Sequence, residues 1–514
     1  EKFAADPNSK MPLIQCEYAH AMGNSLGGFK EYWDLVRKYP KYQGGYIWDF
    51  VDQAVRWKGK DGATIMAYGG DFNNYDASDN NFCVNGLISP DRVFNPHAYE
   101  AQKIYQNIWT SRKADNLLSI YNENFFKGLD DVTMKWTLLR DGTPVRTGML
   151  ENLDVAPQST RDYTVNYGEL TPGSEWLLNV EYALKEAEGL LPAGQVIARE
   201  QIALTEPVAP GCKMCVKGDL PSVDDSSSLT VSGDGFTVVI DKASGLINRY
   251  DINGTELLNS GESIRPNFWR APTDNDYGAN LQKKYRAWHN PEMNLKSLTH
   301  EAVGNKIKVV ASYDMPTVKA SLELTYIINS IGNIKVTQKF TPVDEKAEIS
   351  DMFRFGMIIP MPKKFDEVEY YGRGPGENYI DRQHAMQLGI YRQSVASQPY
   401  AYIRPQETGT RADLRWWKVL DSKGTGIEII ASEPFSASAL NYTIDSLDGG
   451  EEKTNTHFPE VKPANITEVC VDLRQMGLGC VNSWGALPLK QYRLPYAPYT
   501  FTYTIIPVTD ALAM

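Results

Sequence analysis

Leu13-Ile14-Gln15-Cys16-Glu17-Tyr18-Ala19-His20-Ala21-Met22-Gly23-Asn24-Ser25 is the stretch on which the fold turns, because it sets one carboxylate, Glu17, where an apolar run ends in a small-residue turn. Leu26, Phe29, Trp33 and Val36 follow at helical spacing, so the pattern predicts strand, polar loop, helix. A second such unit begins at Gly44-Gly45-Tyr46-Ile47-Trp48-Asp49-Phe50, one β/α repeat further on. In a (β/α)8 barrel the side chains that do chemistry stand at the carboxyl ends of the strands, which predicts Glu17, His20, Asn24 and Trp48 on one rim. A Glu after a strand is ordinarily an exposed surface group and a Trp ordinarily core.

At 514 residues the chain exceeds what one hydrophobic core serves, and about two to four domains are expected. Apolar residues make up 42% and charged residues 23%, the composition of a globular protein rather than a disordered one. Acidic residues outnumber basic ones by 64 to 52, for a net charge of −12. That balance argues against a nucleic-acid or anionic-membrane partner. No run of about 18 apolar residues proposes a membrane span. The first residues, Glu1-Lys2-Phe3-Ala4-Ala5, carry neither an initiator Met nor a signal segment, and the chain reads as starting inside a longer protein. The compartment, cytoplasm or periplasm, stays open.

Six cysteines do not make a disulfide scaffold at this length. Cys212 and Cys215 form a lone Cys-x-x-Cys with no second pair or His cluster to complete a zinc site, while Cys16 and Cys83 read as small packing residues.

The expected organisation has four parts. Residues 1–105 form the barrel portion. From 106 to 207 the period changes to two, as in Val132-Thr133-Met134-Lys135-Trp136-Thr137-Leu138, and Asp141-Gly142 signals a hairpin. About seven short strands there predict an immunoglobulin-like sandwich acting as spacer or buttress. Residues 208–228 read as a linker, and 229–514 as one large all-β unit without a long amphipathic helix. The glycine-spaced segment Gly372 to Gly376 lacks the Lys-Ser or Lys-Thr of a phosphate loop.

The run Cys-Glu-Tyr-Ala-His-Ala-Met-Gly-Asn-Ser at 16–25 resembles the nucleophile segment of the large bacterial β-galactosidases of glycoside hydrolase family 2. So do Gln43 to Gln53, Phe268-Trp269-Arg270-Ala271-Pro272-Thr273-Asp274-Asn275-Asp276 and Tyr371-Gly372-Arg373-Gly374-Pro375-Gly376-Glu377-Asn378-Tyr379, so the resemblance spans essentially the whole chain. It implies a mainly β chain: the C-terminal part of a TIM barrel, an immunoglobulin-like sandwich and a large C-terminal super-sandwich. It implies that Glu17 is the nucleophile, that His20, Trp48, Asn85 and Trp484 bind the sugar, and that the Phe82 carbonyl and Asn85 hold a sodium ion. A magnesium ion in the complete enzyme has its ligands outside this chain, and Ser78 stands where the family has a further Asn of that region. The Gly372 to Gly376 region is expected to be a mobile loop at the active-site entrance.

The implied reaction is hydrolysis, with retention, of terminal β-galactosides such as lactose. Retaining enzymes use two carboxyl groups, one attacking the anomeric carbon and one serving as acid and then base. Glu17 supplies the first. The family places the second in an Asn-Glu motif on an earlier barrel strand, whereas Asn122-Glu123 here falls among sandwich strands and reads as a turn. The chain is therefore expected to carry the nucleophile without the acid/base and to be inactive alone. Two other readings stand beside this one: a carbohydrate-binding or scaffolding protein that has lost catalysis, and a family 2 enzyme with another glycone, such as fucose or glucuronate. Large family members are commonly homo-oligomers, which is expected here too.

Overall fold

A computed structural model of the chain describes residues 1–208, 211, 220–344, 346–454 and 456–509, which leaves Cys212 and Cys215 outside the described residues. The chain divides into two compact units: Glu1–Ala98, Pro210–Gln383 and Tyr391–Met514 form one, Tyr99–Ala209 and His384–Ile390 the other. The fold class is the expected one, mainly β with a barrel portion and large β-sandwich sheets.

In the first unit, strand Leu13–Tyr18 and strand Tyr42–Ile47 pair in parallel, with helix Phe29–Lys38 between them. Parallel neighbours need such a crossover, and this is the β/α repeat of a barrel. Glu31 in the first helical turn and Arg37 and Lys38 in the last complement the helix dipole. Leu26 was expected to open this helix. It instead sits before it at φ 63°, fully buried in the turn that runs to Gly28. Ile14 and Tyr46 are 56% and 65% exposed, although parallel sheets are normally covered on both faces; two paired strands leave those faces bare. Cys16 is exposed and Cys83 half-buried, so neither is the core packing residue the sequence suggested.

The rest of this unit is sheet. One path of strands runs Arg265–Asn267, Arg354–Pro362, Ile466–Gln475, Gly426–Leu440, Tyr499–Val508, Ile334–Pro342, Ala320–Asn329, Lys306–Met315 and Asn294–Val303 within a twelve-stranded sheet. Strict alternation of buried and half-buried residues along Lys306–Met315 gives it one face toward the core. Arg354–Pro362 is buried over eight successive residues, covered on both faces. A five-stranded sheet from Ser222–Asp224 to Thr255–Glu256 shares the same apolar core, through residues such as Val231, Val238 and Ile240. Ser222–Asp224 lies within the stretch read as linker, yet pairs with Ser228–Gly233. The helices among the described residues here are of five residues or fewer, as the sequence suggested. Gly372 and Gly374 are not in a loop: they end strand Glu367–Gly374. A Cβ on Gly372 would collide with Leu414, so close packing calls for glycine there.

The second unit is a two-sheet sandwich. Ile108–Ala114, Leu117–Asn122 and Ser159–Thr164 form one sheet; Val196–Ala203, Trp176–Leu184, Val132–Arg140 and Thr143–Leu150, in that order, form the other. Inward-facing Ile120, Met134, Leu138, Leu178, Val180 and Tyr182 make its core. Asp141 and Gly142 turn between two of these strands at φ 49° and 80°, the primed hairpin that an Asp-Gly pair favours. Asn122 is the last residue of its strand and fully buried, and Glu123 accepts a hydrogen bond from Trp109 Nε1 at 2.9 Å, so this Asn-Glu pair is committed to the sandwich.

Candidate active site

Glu17 is the penultimate residue of strand Leu13–Tyr18 and is exposed; Trp48 directly follows strand Tyr42–Ile47 and is 46% exposed. Tyr18 pairs with Ile47, so the two carboxyl ends are adjacent and carry both side chains. The Cys16–Glu17 and Trp48–Asp49 peptides are both cis. Beyond Glu17 the chain turns inward: Ala19, Ala21 and Met22 are buried, and Ala21 N–H donates to the Trp48 carbonyl at 2.8 Å. That bond ties the turn to the second strand end.

The turn rests on the large β domain. His20 N–H donates to the Cys480 carbonyl at 2.7 Å, and Asn24 N–H to Gln406 Oε1 at 3.0 Å. Asn24 Nδ2 donates to Tyr379 Oη and the Glu407 carbonyl, while Tyr402 Oη donates to Asn24 Oδ1. Asn24 is thus fully buried and saturated, a bolt behind the rim and not the rim residue predicted from its position. Gly23, at φ 59°, packs so closely on Asp274 and Gln406 that a Cβ has no room.

Asp274 is the hub of this contact. It accepts from Asn81 Nδ2 at 2.9 Å, Arg404 Nε at 2.8 Å and Gln406 Nε2 at 2.9 Å, and pairs with Lys453 at 3.2 Å. Burial pushes its carboxyl upward, but Arg404 and Lys453 outweigh burial and hold it well below the usual carboxylate range. Asn81 in turn carries the short 3-10 segment Asn80–Cys83, which presents Phe82.

His20 is buried, with Nδ1 2.7 Å from Ser483 Oγ and its ring against Phe82 and Trp484, centroids 5.6 and 5.2 Å away. Burial pushes its pKa down from 6.5 to about 4, against the pull of Asp274 and Asp49, so the ring is neutral at neutral pH. The charge state, undecided by the sequence, follows from that burial. It also fixes a sign. Between about pH 6.5 and 4 the unfolded chain takes up the proton first, so this residue's contribution to stability is lost as pH falls through that window, by about 3 kcal/mol in all. The stability difference between the parent and His20→Gln, followed by urea unfolding, should therefore narrow steadily on acidification; a gap constant with pH would contradict it.

Trp48, Phe72, Ser78, Asp79, Phe82 and Asn85 line a cavity of about 580 Å³. Of the residues singled out from sequence, Trp48, Phe82 and Asn85 meet at this cavity; His20, Phe82 and Trp484 meet in the aromatic cluster; Phe82 belongs to both. Glu17 lines neither and joins them through the pairing of its strand with the one that leads to Trp48. Trp484 is 54% exposed, an aromatic face open to solvent.

Asn85 Nδ2 donates to the Phe82 carbonyl at 2.8 Å, while its Oδ1 is buried without a hydrogen-bond partner among the described residues. The segment around it is braced by residues that sequence reading passed over. Asp52 accepts from Gly86 N–H at 2.7 Å and Asn95 Nδ2 at 3.0 Å, and burial raises its pKa to about 6. His97 Nε2 lies 2.8 Å from the Gly86 carbonyl, its ring held neutral chiefly by burial. No group of three or more His, Cys, Asp or Glu residues among those described is placed to hold a metal. No helix among them is long and apolar enough to cross a membrane.

Three family descriptions match the chain: "Glycosyl hydrolases family 2, TIM barrel domain" over residues 1–110, "Beta-galactosidase, domain 4" over 118–205, and "Beta galactosidase small chain" over 232–505. Among curated proteins, the β-galactosidase of Priestia megaterium is 34% identical over 98% of this chain and 48% of its own length. Those of Pseudoalteromonas haloplanktis and Streptococcus thermophilus are each 30% identical, over 98% and 97% of this chain and 50% and 47% of their own. The chain thus spans about half the length of the curated relatives it matches. Among solved structures, galactose 1-epimerase from Lactobacillus acidophilus covers 58% of this chain at TM-score 0.31 and 9% identity, too distant to bear on fold or function. With the small-chain description matching more than half of its residues and a family 2 barrel description matching the segment that bears Glu17, this chain belongs to the β-galactosidases of glycoside hydrolase family 2.

Proposed function

We propose that this chain supplies the nucleophile and much of the sugar platform of a retaining glycoside hydrolase acting on terminal β-D-galactosides. The observation that carries this reading is the placement of Glu17 and Trp48 at adjacent carboxyl ends of two parallel strands, in a member of the β-galactosidase family. Glu17 attacks the anomeric carbon from the face opposite the leaving group, forming a glycosyl ester that water then opens. Trp48 and Trp484, both largely exposed, offer aromatic faces to the apolar faces of the sugar and its aglycone. Neutral His20 hydrogen-bonds a sugar hydroxyl and does not shuttle protons.

The reaction also needs an acid/base, at about 5 to 5.5 Å from the nucleophile in retaining enzymes. The chain's Asn-Glu pair is engaged in the sandwich, so we assign the acid/base to another residue; the family resemblance puts it, with the magnesium ligands, outside this chain. The chain alone is then inert. Purified by itself it should not turn over an aryl β-galactoside measurably, while the complete protein should, and in a panel with the β-glucuronide and β-fucoside it should prefer the galactoside. A complete protein that binds these sugars and hydrolyses none would return the function to carbohydrate binding.

Phe82 and Asn85 suit an alkali cation. A carboxamide turned about its last bond would direct the unpartnered Oδ1 of Asn85 to the Phe82 carbonyl side, bringing together two hard oxygen donors. Such an ion supplies a fixed positive charge that orients sugar hydroxyls. Sodium should therefore lower KM for the complete parent protein, and Asn85→Ala should weaken sodium dependence by about tenfold or more. Identical sodium titrations for parent and variant would remove Asn85 from the site.

A further inference from the structure

We propose that Ser483 and Asn275 are positioning residues that lock His20 in the tautomer protonated on Nδ1, leaving Nε2 as an acceptor for a hydroxyl proton of the bound sugar. The inference rests on the galactoside reading above for the identity of that hydroxyl's owner, but the tautomer itself follows from hydrogen bonds within the chain.

The direction of each bond is forced, starting from the backbone. Asn275 Nδ2 lies 3.1 Å from both the Leu478 and Gly479 carbonyls, which can only accept. Its amide orientation is therefore set, and Oδ1 is left as the acceptor on the other side. Ser483 Oγ is 2.6 Å from that Oδ1 and must spend its single proton there. Toward His20 Nδ1, at 2.7 Å, the same oxygen can then only accept, so Nδ1 carries the hydrogen. All three residues are buried, so water offers little competition for these bonds. A neutral imidazole has one N–H, and Nε2, without a hydrogen-bond partner among the described residues, keeps its lone pair. The ring is buried, where a second proton would place a charge out of reach of water.

The tautomer makes His20 selective for donors. A sugar hydroxyl can give Nε2 its proton, whereas a fluorine in that hydroxyl's place can only accept and meets a lone pair. Ser483 and Asn275 belong to the large β domain, whereas His20 follows the nucleophile strand, so the sandwich would set the polarity of a contact made by the barrel portion. Neither residue need touch the sugar.

Nitrogen-15 NMR of the histidine-labelled full chain, with His20→Gln to assign the signals, reads the tautomer without any substrate. The expected result is a protonated Nδ1 and a bare Nε2 at neutral pH, kept in Ser483→Thr and lost to a mixture in Ser483→Ala. The complete protein is then assayed with aryl galactosides in which each hydroxyl in turn is replaced by fluorine. At one position kcat/KM should fall about ten- to hundredfold, the effect of leaving a buried polar group unpaired, and that penalty should shrink to about threefold in Ser483→Ala. A protonated Nε2 in the parent chain overturns the tautomer assignment whether or not galactosides are hydrolysed. A protonated Nδ1 with no position-specific fluorine penalty, or with one that Ser483→Ala leaves unchanged, overturns the role assigned to the acceptor. Absence of any galactoside hydrolysis by the complete protein would count against the functional reading and the acceptor role together, leaving the NMR result standing by itself.

Discussion

Glu17→Gln, made in the complete protein, should lower turnover of an aryl β-galactoside by at least about four orders of magnitude, the scale on which removal of a covalent nucleophile is felt. Gln keeps the size and most of the shape but cannot form the glycosyl ester. Because Glu17 is exposed on the strand end, the thermal midpoint should hardly move, which separates lost chemistry from lost fold. Glu17→Ala adds a stereochemical test. With the carboxylate gone, azide can enter from the face it occupied and displace an activated leaving group, giving the α-galactosyl azide. A β-azide, or turnover unaffected by either change, would mean that another side chain attacks the sugar.

Asp276→Ala should unfold the chain more readily by about 3–5 kcal/mol, the cost of stranding a buried charge. Arg270 and Asp276 are 0% and 2% exposed and meet side-on, Nε to Oδ2 at 3.0 Å and Nη2 to Oδ1 at 2.8 Å. The guanidinium also donates to the Met476 and Gly477 carbonyls, holding the strand end that leads toward Cys480 and Ser483. Asp276 serves a second purpose, accepting from Thr273 N–H in a capping box at the head of helix Asp274–Gly278. Asp276→Asn keeps one acceptor and should fall between parent and Asp276→Ala. Lys30 and Asp34 provide the control: their side chains are 41% and 50% exposed, and Asp34→Ala should cost no more than about 0.5 kcal/mol. Denaturant midpoints for the three variants check the order, and an Asp276→Ala shift as small as that of Asp34→Ala would show that Arg270 finds other compensation.

The parts of the fold that depend on nearby residues were legible in the sequence. Strand, turn and helix after Leu13 follow from spacing, and the Asp141-Gly142 hairpin from turn chemistry. What escaped depends on partners far along the chain. His20 meets Ser483 across 463 positions and Asn24 meets Gln406 across 382, so neither the neutrality of the first nor the burial of the second has a local signature. Asn24 was placed on the rim because its strand position allowed it; four hydrogen bonds to the large β domain took it elsewhere. The glycines at 372 and 374, read as part of a loop, end a strand, and at 372 the missing side chain lets Leu414 come close. Phe268 to Asp276 was recognisable as a family signature without its task being visible: Asp274 clamps the Asn81 segment, Asn275 faces Ser483, and Asp276 neutralises Arg270.

The seating of residues 20–25 and 81 on Asp274, Gln406, Cys480 and Ser483 sets a limit on how this protein can be cut or recombined. A fragment ending near residue 110 would keep the whole barrel match yet expose His20, Asn24 and Asn81 to water, with the ledge that shapes them gone. The smallest piece that keeps these contacts is therefore discontinuous, joining the first hundred residues to segments between Asp274 and Ser483.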